Sequence, residues 1–418
     1  MALALFLIAF FLFPLPTENR WAPWPSSSSS SASTEEAFGP LAFRKDGTFQ
    51  ISILGDLHFG ENAWDPWGPA QDRESIKVIE KVFDEEPNTG LVVLNGDLIT
   101  GENTFLENST LYVDQIVAPI VDRKLTWAST YGNHDSDFNI SRSGIFAREK
   151  RWPNSRTRQD VSHPDAGVTN YYLPVYPHAD DSGTPSLILW FFDSRGGWYF
   201  QQKDPATKSR VGQPNWVDQS VVSWFKETNA SLVKQHGGKV IPSLAFVHIP
   251  VNASLAFQDQ GVDAHRQPGI NADVPVSQQG QGWCEDGSNG DECVYGGQDV
   301  PFMKAIASTP GLLGVFSGHD HGNSWCYKWD RQLPGMNIKG NEVNLCFGQH
   351  SGYGGYGNWI RGARQVVVSL DGLQEGEADT YIRLEDGRVV GRVGLNETYG
   401  RDLYEATPDD KTRCPTCG

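Results

Sequence analysis

The chain has 418 residues, of which 39% are hydrophobic and 20% charged, a composition typical of a folded globular protein. Its formal net charge of −17 repels nucleic acids and anionic membrane surfaces, so bulk electrostatics argues against both as partners. The 44 glycines and 25 prolines indicate many turns, and an anionic substrate would need bound cations to reverse the local sign of the field.

The chain begins with a short apolar segment. MALALFLIAFFLFPLP is too short to span a bilayer comfortably, so we predict a signal peptide over residues 1–20, with an N-terminal anchor as the alternative. Residues 21–43 are rich in serine and proline and predict a disordered spacer. We expect no stable membrane insertion after leader removal. The protein would then be secreted, or held in the secretory-pathway lumen or a vacuole.

Residues 44–400 alternate apolar runs with amphipathic stretches, which predicts one α/β domain with helices on the outer faces of sheets. The apolar runs predict strands at 50–59, 91–97, 125–135, 186–194, 243–250 and 312–321, and further strands within 364–372 and 379–393. Near-helical spacing predicts helices at 73–85, 106–121 and 218–236.

Cysteines and glycosylation sequons fit an exported chain. The even number of cysteines predicts disulfides, and among the possible pairings we favour Cys284–Cys293, Cys326–Cys346 and, in a tail over 401–418, Cys414–Cys417. The N-x-S/T sequons are at Asn108, Asn139, Asn229, Asn252 and Asn396.

Five short polar motifs follow apolar runs. In chain order they are G-D-L-H (55–58), N-G-D-L (95–98), G-N-H-D (132–135), V-H-I-P (247–250) and G-H-D-H (318–321). Taken singly, each has a structural explanation: Asp56 could cap a segment, Asn133 could form an Asx-turn, and His248 could be a core imidazole. Together, at the ends of strands that meet along a sheet edge, they indicate a metal centre. Carboxylate, amide and imidazole ligands suit Zn, Mn, Fe or Mg.

These motifs resemble the pattern D-x-H, G-D, G-N-H-D/E, H and G-H-x-H of the calcineurin-like metallophosphoesterase superfamily, over roughly residues 48 to 371. The stretches NYYLPVY, GHDHGNSWC and LCFGQHSGYGGYG resemble a fungal and plant Dcr2-like subgroup related to purple acid phosphatases. The resemblance implies a four-layer α/β/β/α sandwich of two mixed sheets flanked by helices. It also implies two metal ions, with Mn, Zn or Fe all compatible.

The resemblance implies a role for each motif residue. One ion would be held by Asp56, His58 and His321, the other by Asn133, His248 and His319, with Asp97 bridging both. His134 would protonate the leaving oxygen, and Asp135 would orient that imidazole. Thr100 stands where purple acid phosphatases have the tyrosine that binds Fe(III), so we predict no purple chromophore.

A glycine-rich stretch carries His350, Tyr353 and Tyr356. It could be a substrate-facing loop near the metals, with His350 and Tyr353 as substrate contacts, or a structural hairpin. Arg195 and Asn323 are further candidates outside the ligand set.

The expected activity is hydrolysis of phosphate monoesters, in small molecules or proteins, by a hydroxide bridging two metal ions. Alternatives are a secreted phosphodiesterase acting on nucleotides or lipid head groups, and a non-enzymatic secreted protein with a relic site. Neither a G-x-S-x-G elbow nor a P-loop occurs, which argues against a serine hydrolase or an NTPase.

Overall fold

The computed structural model describes residues 37–179, 183–290 and 292–412. The predicted leader, most of the predicted spacer and the Cys414–Cys417 pair lie outside these ranges. The last residues of the spacer were expected to be disordered, but residues 41 and 42 form a strand instead.

The chain alternates strands and helices along most of its length. The strands are β1 (Leu41–Ala42), β2 (Thr48–Leu54), β3 (Thr89–Asn95), β4 (Trp127–Thr130), β5 (Tyr171–Tyr176), β6 (Leu187–Phe192), β7 (Trp198–Lys203), β8 (Arg210–Gly212), β9 (Ser243–Val247), β10 (Leu312–Ser317), β11 (Cys326–Trp329), β12 (Val343–Phe347), β13 (Gly362–Ser369), β14 (Ala378–Leu384) and β15 (Val389–Leu395). The helices are α1 (Trp67–Glu85), α2 (Tyr112–Asp122), α3 (Arg142–Glu149), α4 (Gln219–Gln235), α5 (Asn252–Gln260), α6 (Val300–Ser308) and α7 (Leu370–Glu375).

Two mixed sheets form the centre of the fold. One runs in the order β1-β5-β6-β9-β10-β12-β11 and is parallel from β6 to β12. The other runs β15-β14-β13-β2-β3-β4; β2, β3 and β4 are parallel, and β13 and β14 are antiparallel to their neighbours. A separate hairpin, β7–β8, lies outside both sheets.

The sheets pack face to face, and helices cover their outer faces. In β3, Leu91 and Val93 join the core between the sheets, whereas Val92 and Leu94 pack under α1 and α2. This alternation follows from the two-residue period of a strand, and it explains why β3 is apolar on both faces. Helices α4, α5 and α6 cover the other sheet in the same way. The α/β/β/α order that the resemblance implied is confirmed.

Several strands end earlier than the sequence predicts. The predicted strands at 50–59, 125–135, 243–250 and 312–321 included the polar motifs. However, β2, β4 and β10 end before their motifs, and β9 ends at Val247, the first residue of V-H-I-P. The motifs therefore lie on turns at the carboxyl ends of strands from both sheets. Two hydrogen bonds join the sheets there: Asn95 Nδ2 donates to Phe316 O at 3.2 Å, and Thr130 Oγ1 donates to Phe192 O at 2.7 Å.

One helix begins earlier than the sequence predicts, whereas two of the predicted disulfides are present. Helix α1 begins at Trp67 rather than 73, because its proline, Pro69, falls in the first turn, where a missing N–H costs little. The predicted bonds Cys284–Cys293 and Cys326–Cys346 are both present. Within the described ranges, no helix has the length and apolarity needed to cross a membrane.

Candidate metal centre and active site

The predicted metal ligands occupy strained turns. Asp56, His58, Asp97 and His319 have φ values of 54°, 48°, 48° and 78°, in the left-handed region that residues other than glycine rarely adopt. Such strain is found most often at functional sites. At these four positions the candidate ligands themselves, rather than glycines, adopt the left-handed conformation of the turn.

The motif glycines instead allow close packing against the ligands. A Cβ atom on Gly132 would lie 2.2 Å from Asp97 Oδ1, and one on Gly96 would lie 2.4 Å from His248 Nδ1. Both distances are far below van der Waals contact, so any larger residue would displace a ligand side chain.

Asp56, His58 and His321 form the first ligand group. All three are 3% exposed. The Nε2 atoms of His58 and His321 are 3.2 Å apart, and His321 Nε2 is 3.7 Å from Asp56 Oδ1. Nitrogen lone pairs and a carboxylate oxygen that converge on one point form a donor set for a cation.

Asp97, His248 and His319 form the second group. His248 Nε2 lies 3.0 Å from Asp97 Oδ2, and the same oxygen lies 3.8 Å from His58 Nε2 of the first group. One oxygen of Asp97 thus lies between the two groups. Among the described residues, Asn133 Oδ1 has no hydrogen-bond partner although it is buried, so it has a free lone pair.

Two imidazoles are oriented through their outer nitrogens. His248 Nδ1 is 2.8 Å from Asn95 O, and His321 Nδ1 is 2.8 Å from Tyr356 O. A carbonyl oxygen can only accept, so each Nδ1 carries a proton, and each Nε2 is the nitrogen that faces the ligand group.

Thr100 contacts the candidate ligand His58. Its Oγ1 lies 3.3 Å from His58 Nδ1 and donates to His58 O at 3.2 Å. The position that holds a metal-binding tyrosine in purple acid phosphatases therefore holds a hydroxyl that orients an imidazole.

In the metal-free chain, burial and neighbouring charges shift the pKa values of the candidate ligands. Burial raises the pKa of Asp56 to about 7 and lowers the pKa of His58 to about 4 and that of His319 to about 3. Burial opposes charge on His248 as well, but the Asp97 carboxylate raises its pKa to about 9. A cation would take over the role of the His248 proton, so metal binding should release protons.

His134 lies beside the ligand groups with about a third of its side chain exposed (34%). Its ring centroid is 4.9 Å from that of His58, and its backbone N–H donates to Asp97 Oδ1 at 2.8 Å. Its Nδ1 lies 2.9 Å from Glu102 Oε2. Burial disfavours its charged form, but Asp97 and Glu102 together raise the pKa of His134 to about 10.

The contact with Glu102 corrects the role expected for Asp135. The Asp135 carboxylate instead accepts backbone hydrogen bonds from Leu98, Ile99 and Gly132, at 2.9, 3.1 and 2.8 Å. Asp135 therefore fixes two motif turns to each other. Glu102 was missed because no motif marks it, although it lies only five residues beyond Asp97.

His350 and Tyr353 do not contact the solvent side of the site. His350 is 2% exposed, lies behind His321 with a ring separation of 3.9 Å, and has its Nε2 3.1 Å from Gly354 O. Tyr353 is 7% exposed and donates its hydroxyl to Glu385 Oε2 at 2.6 Å. The expected substrate contacts are therefore corrected to packing and hydrogen-bonding roles.

Of the remaining candidates, Tyr356 is half-exposed, and its ring stacks on His321 at 4.0 Å. Arg195 is buried, and its Nε donates to Trp216 O at 2.9 Å. Asn323 is buried and donates to Asp273 O at 2.8 Å. Tyr356 alone of the three reaches the solvent.

Arg142, which the motifs did not indicate, holds the G-N-H-D turn in place. Its Nη2 donates to Gly132 O at 2.7 Å and to Gly196 O at 3.1 Å, and its Nε is 3.2 Å from Asp193 Oδ1. Its side chain is buried on α3, a helix that the sequence did not reveal.

Comparison with known proteins agrees with this geometry. Residues 49–323 match the family model described as calcineurin-like phosphoesterase. The chain is 27% identical over 376 residues to "Probable inactive purple acid phosphatase 29" of Arabidopsis thaliana, covering 83% of this chain and 85% of that protein. It is 25% identical over 314 residues to "Phosphatase DCR2" of Saccharomyces cerevisiae, covering 72% of this chain and 48% of that protein.

A solved structure shares the fold. The crystal structure of a dimetal phosphatase from Danio rerio aligns with a TM-score of 0.50 at 11% identity, covering 83% of this chain and 98% of that one. The relatives of the purple acid phosphatase and Dcr2 type confirm the subgroup that the sequence motifs suggested. Because the family model matches residues 49–323, which is more than half of the chain, the chain belongs to the calcineurin-like phosphoesterase family.

Proposed function

We propose that this protein is a metal-dependent phosphatase that hydrolyses phosphate monoesters. The observation that carries the proposal is the pair of adjacent ligand groups, joined by one oxygen of Asp97, with His134 beside them. Two bound ions would supply a water of lowered pKa and polarise the phosphoryl oxygens.

The chain's own side chains would divide the work. The first ion would be held by Asp56, His58 and His321, the second by Asn133, His248 and His319, and both by Asp97. The free lone pair of Asn133 Oδ1 and the convergent imidazoles support this assignment. Mn, Zn and Fe are all compatible with these donors.

His134 would act as the general acid. Glu102 holds its Nδ1, which leaves Nε2 to carry a proton to the leaving oxygen. As the bond from phosphorus to that oxygen breaks, the departing alkoxide would take this proton and leave as an alcohol. An in-line displacement would require the attacking group and this acid to lie on opposite sides of the phosphoryl group.

The names of the relatives differ on activity, since one is called inactive and another a phosphatase. The complete ligand set of this chain supports an active enzyme, because a relic site is expected to lose ligands.

We further propose that the protein is exported, to the cell exterior, the secretory-pathway lumen or a vacuole. The apolar leader and the two disulfides support this location. The sequons remain predicted glycosylation sites. At Asn139, a glycan would displace the hydrogen bond that Nδ2 donates to Thr104 O at 2.8 Å.

The test begins with purified protein stripped by a chelator and reloaded with Mn²⁺, Zn²⁺ or Fe²⁺. Turnover of p-nitrophenyl phosphate is compared with that of bis-p-nitrophenyl phosphate from about pH 4 to about pH 9. We expect metal-dependent turnover with preference for the monoester. Faster turnover of the diester would instead identify a phosphodiesterase, and no turnover with any metal would identify a relic site.

Asp97→Asn tests the shared ligand. Because this carboxylate lies between both groups, the variant should bind less of both ions and lose nearly all activity. Asp259→Asn, on the exposed end of α5, is the matched control and should behave like the unmodified protein. Near-normal turnover by Asp97→Asn would exclude the bridging role.

A further inference from the structure

Three loops, which we call the rim loops, border the solvent side of His134. They are residues 59–66, 100–111 and 351–359. The first follows the ligand His58, the second contains Glu102, and the third passes over His321.

Hydrogen bonds fix the rim loops to one another and to the site. Glu61 Oε2 accepts the backbone N–H of Gly355 at 2.7 Å, and Asn62 donates its N–H to Asn103 Oδ1 at 3.0 Å. Gly355 is pressed so closely onto the ligands that a Cβ atom there would lie 2.5 Å from His321 Cε1. The rim is therefore a fixed surface continuous with the ligand groups.

Large apolar side chains project from each rim loop. Trp64, Phe105, Leu106 and Tyr356 are 58%, 54%, 51% and 51% exposed. Trp64 and Phe105 come from different loops and meet edge to face, with ring centroids 6.2 Å apart. Exposed aromatic rings on a rigid surface offer contact area at a low cost in conformational entropy.

The charge of the rim loops has one sign. They contain Glu61, Asp65, Glu102 and Glu107, and none of the three contains a Lys or Arg. A phosphate ester would place its phosphoryl group at the ligand groups and its leaving oxygen at His134. Because Glu102 of the second rim loop contacts His134, a leaving group on that side of the imidazole would meet the rim loops. A leaving group with its own phosphate or carboxylate would meet these acidic groups. Two cations contact the third rim loop from outside it: Arg361 is buried and donates to Gly357 O and Trp359 O, and Lys411 Nζ lies 4.9 Å from the Trp359 ring centroid.

We propose that the rim loops select phosphate esters whose leaving group is aromatic and carries no negative charge, with Trp64 and Phe105 contacting the ring. This substrate class rests on the phosphatase function proposed above. It excludes sugar acid phosphates, polyphosphorylated sugars and nucleoside polyphosphates as good substrates.

The first experiment compares benzyl phosphate with ethyl phosphate on the metal-loaded protein, because both release a primary alcohol. In the double variant Trp64→Ala/Phe105→Ala, kcat/KM for benzyl phosphate should fall about tenfold, whereas that for ethyl phosphate should change less than about twofold. Both side chains are more than half exposed, so the variant should fold normally. Leu403→Ala, at an exposed apolar site on another segment, is the control. An equal change for both esters would overturn the proposal.

The second experiment tests charge with 6-phosphogluconate and glucose 6-phosphate, which differ by a carboxylate. Glu107→Lys should raise kcat/KM for the first relative to the second by about threefold. Glu375→Lys makes the same change in net charge on α7 and should leave the ratio unchanged. The same rise in both variants would show that bulk charge, rather than the rim, sets the preference.

A binding measurement separates this inference from the phosphatase function. Benzylphosphonate and ethylphosphonate cannot be hydrolysed, and calorimetry on the metal-loaded protein reports their affinity without turnover. If benzylphosphonate binds more tightly than ethylphosphonate, and Trp64→Ala/Phe105→Ala loses this difference, the rim loops select the aromatic group even if no ester is turned over. Equal affinities for the two phosphonates would refute the selection of aromatic groups by the rim loops and would not contradict the proposed phosphatase activity.

Discussion

Replacing Glu102 by glutamine should lower the rate most for esters whose leaving group is strongly basic. Glutamine keeps the shape of the side chain but removes the charge that lies 2.9 Å from His134 Nδ1. The imidazole is then held less firmly in the orientation that directs Nε2 to the leaving oxygen.

The size of the effect follows from exposure. The side chains of His134 and Glu102 are 34% and 37% exposed, so solvent screens the pair and its contribution is about 1 kcal/mol, or about fivefold in rate. Removing the acid itself costs more: His134→Gln should lower kcat for ethyl phosphate by about 100-fold to 10,000-fold. With p-nitrophenyl phosphate both losses should be small, because nitrophenolate departs without a proton.

The assay is a double-mutant cycle. If Glu102 acts only through His134, then Glu102→Gln/His134→Gln should be no slower than His134→Gln alone. Glu375→Gln, which changes an exposed carboxyl on α7 outside the rim loops, is the control, and metal content is measured for every variant. The reasoning would be refuted by multiplicative losses, or by an equal loss for both esters in Glu102→Gln.

Three other variants test the fold around the site. Gly132→Ala should lower metal affinity about tenfold to a hundredfold, since its Cβ would displace Asp97; an unchanged metal titration would contradict this. Burial raises the pKa of Asp299 from 3.8 to about 6, so its contribution to stability is lost as pH rises between these values. Urea unfolding at pH 4 and pH 7 measures this loss. The fall in unfolding free energy from pH 4 to pH 7 should be about 3 kcal/mol smaller in Asp299→Asn than in the unmodified protein, and an equal fall in both would refute the prediction. Replacing both Cys326 and Cys346 by serine opens a loop with a sequence separation of 20 and should lower the free energy of unfolding by about 3 kcal/mol in the same assay. An unchanged urea midpoint would contradict this prediction.

The layered fold was predictable where burial leaves a simple pattern. Strands such as β3 and β9 are covered on both faces, so their sequences are continuously apolar and were identified within a few residues. The β7–β8 hairpin is largely exposed, and its residues 198–212 carry no apolar period that marks a strand. Its existence depends on contacts such as Trp198 N–H to Ser136 O, which join segments distant in sequence.

The sequence predicted the candidate metal ligands better than the residues that hold the side chains of the site in position. The spacing of the five motifs identified every side chain of the two ligand groups. The partner of His134 could not be found in this way, because adjacent residues of a turn point in different directions. Asp135 turns towards backbone N–H groups, and Glu102 reaches the imidazole only because the turn at 101–103 brings it there.

The two ligand groups draw on both sheets, and this has a consequence for stability. Asp56, His58 and Asp97 follow strands of one sheet, whereas His248, His319 and His321 follow strands of the other. Each bound ion would therefore act as a cross-link between the two halves of the sandwich, and its binding energy would add to the cohesion of the folded state. Conversely, a substitution that loosens the packing between the two sheets should lower the affinity for metal ions.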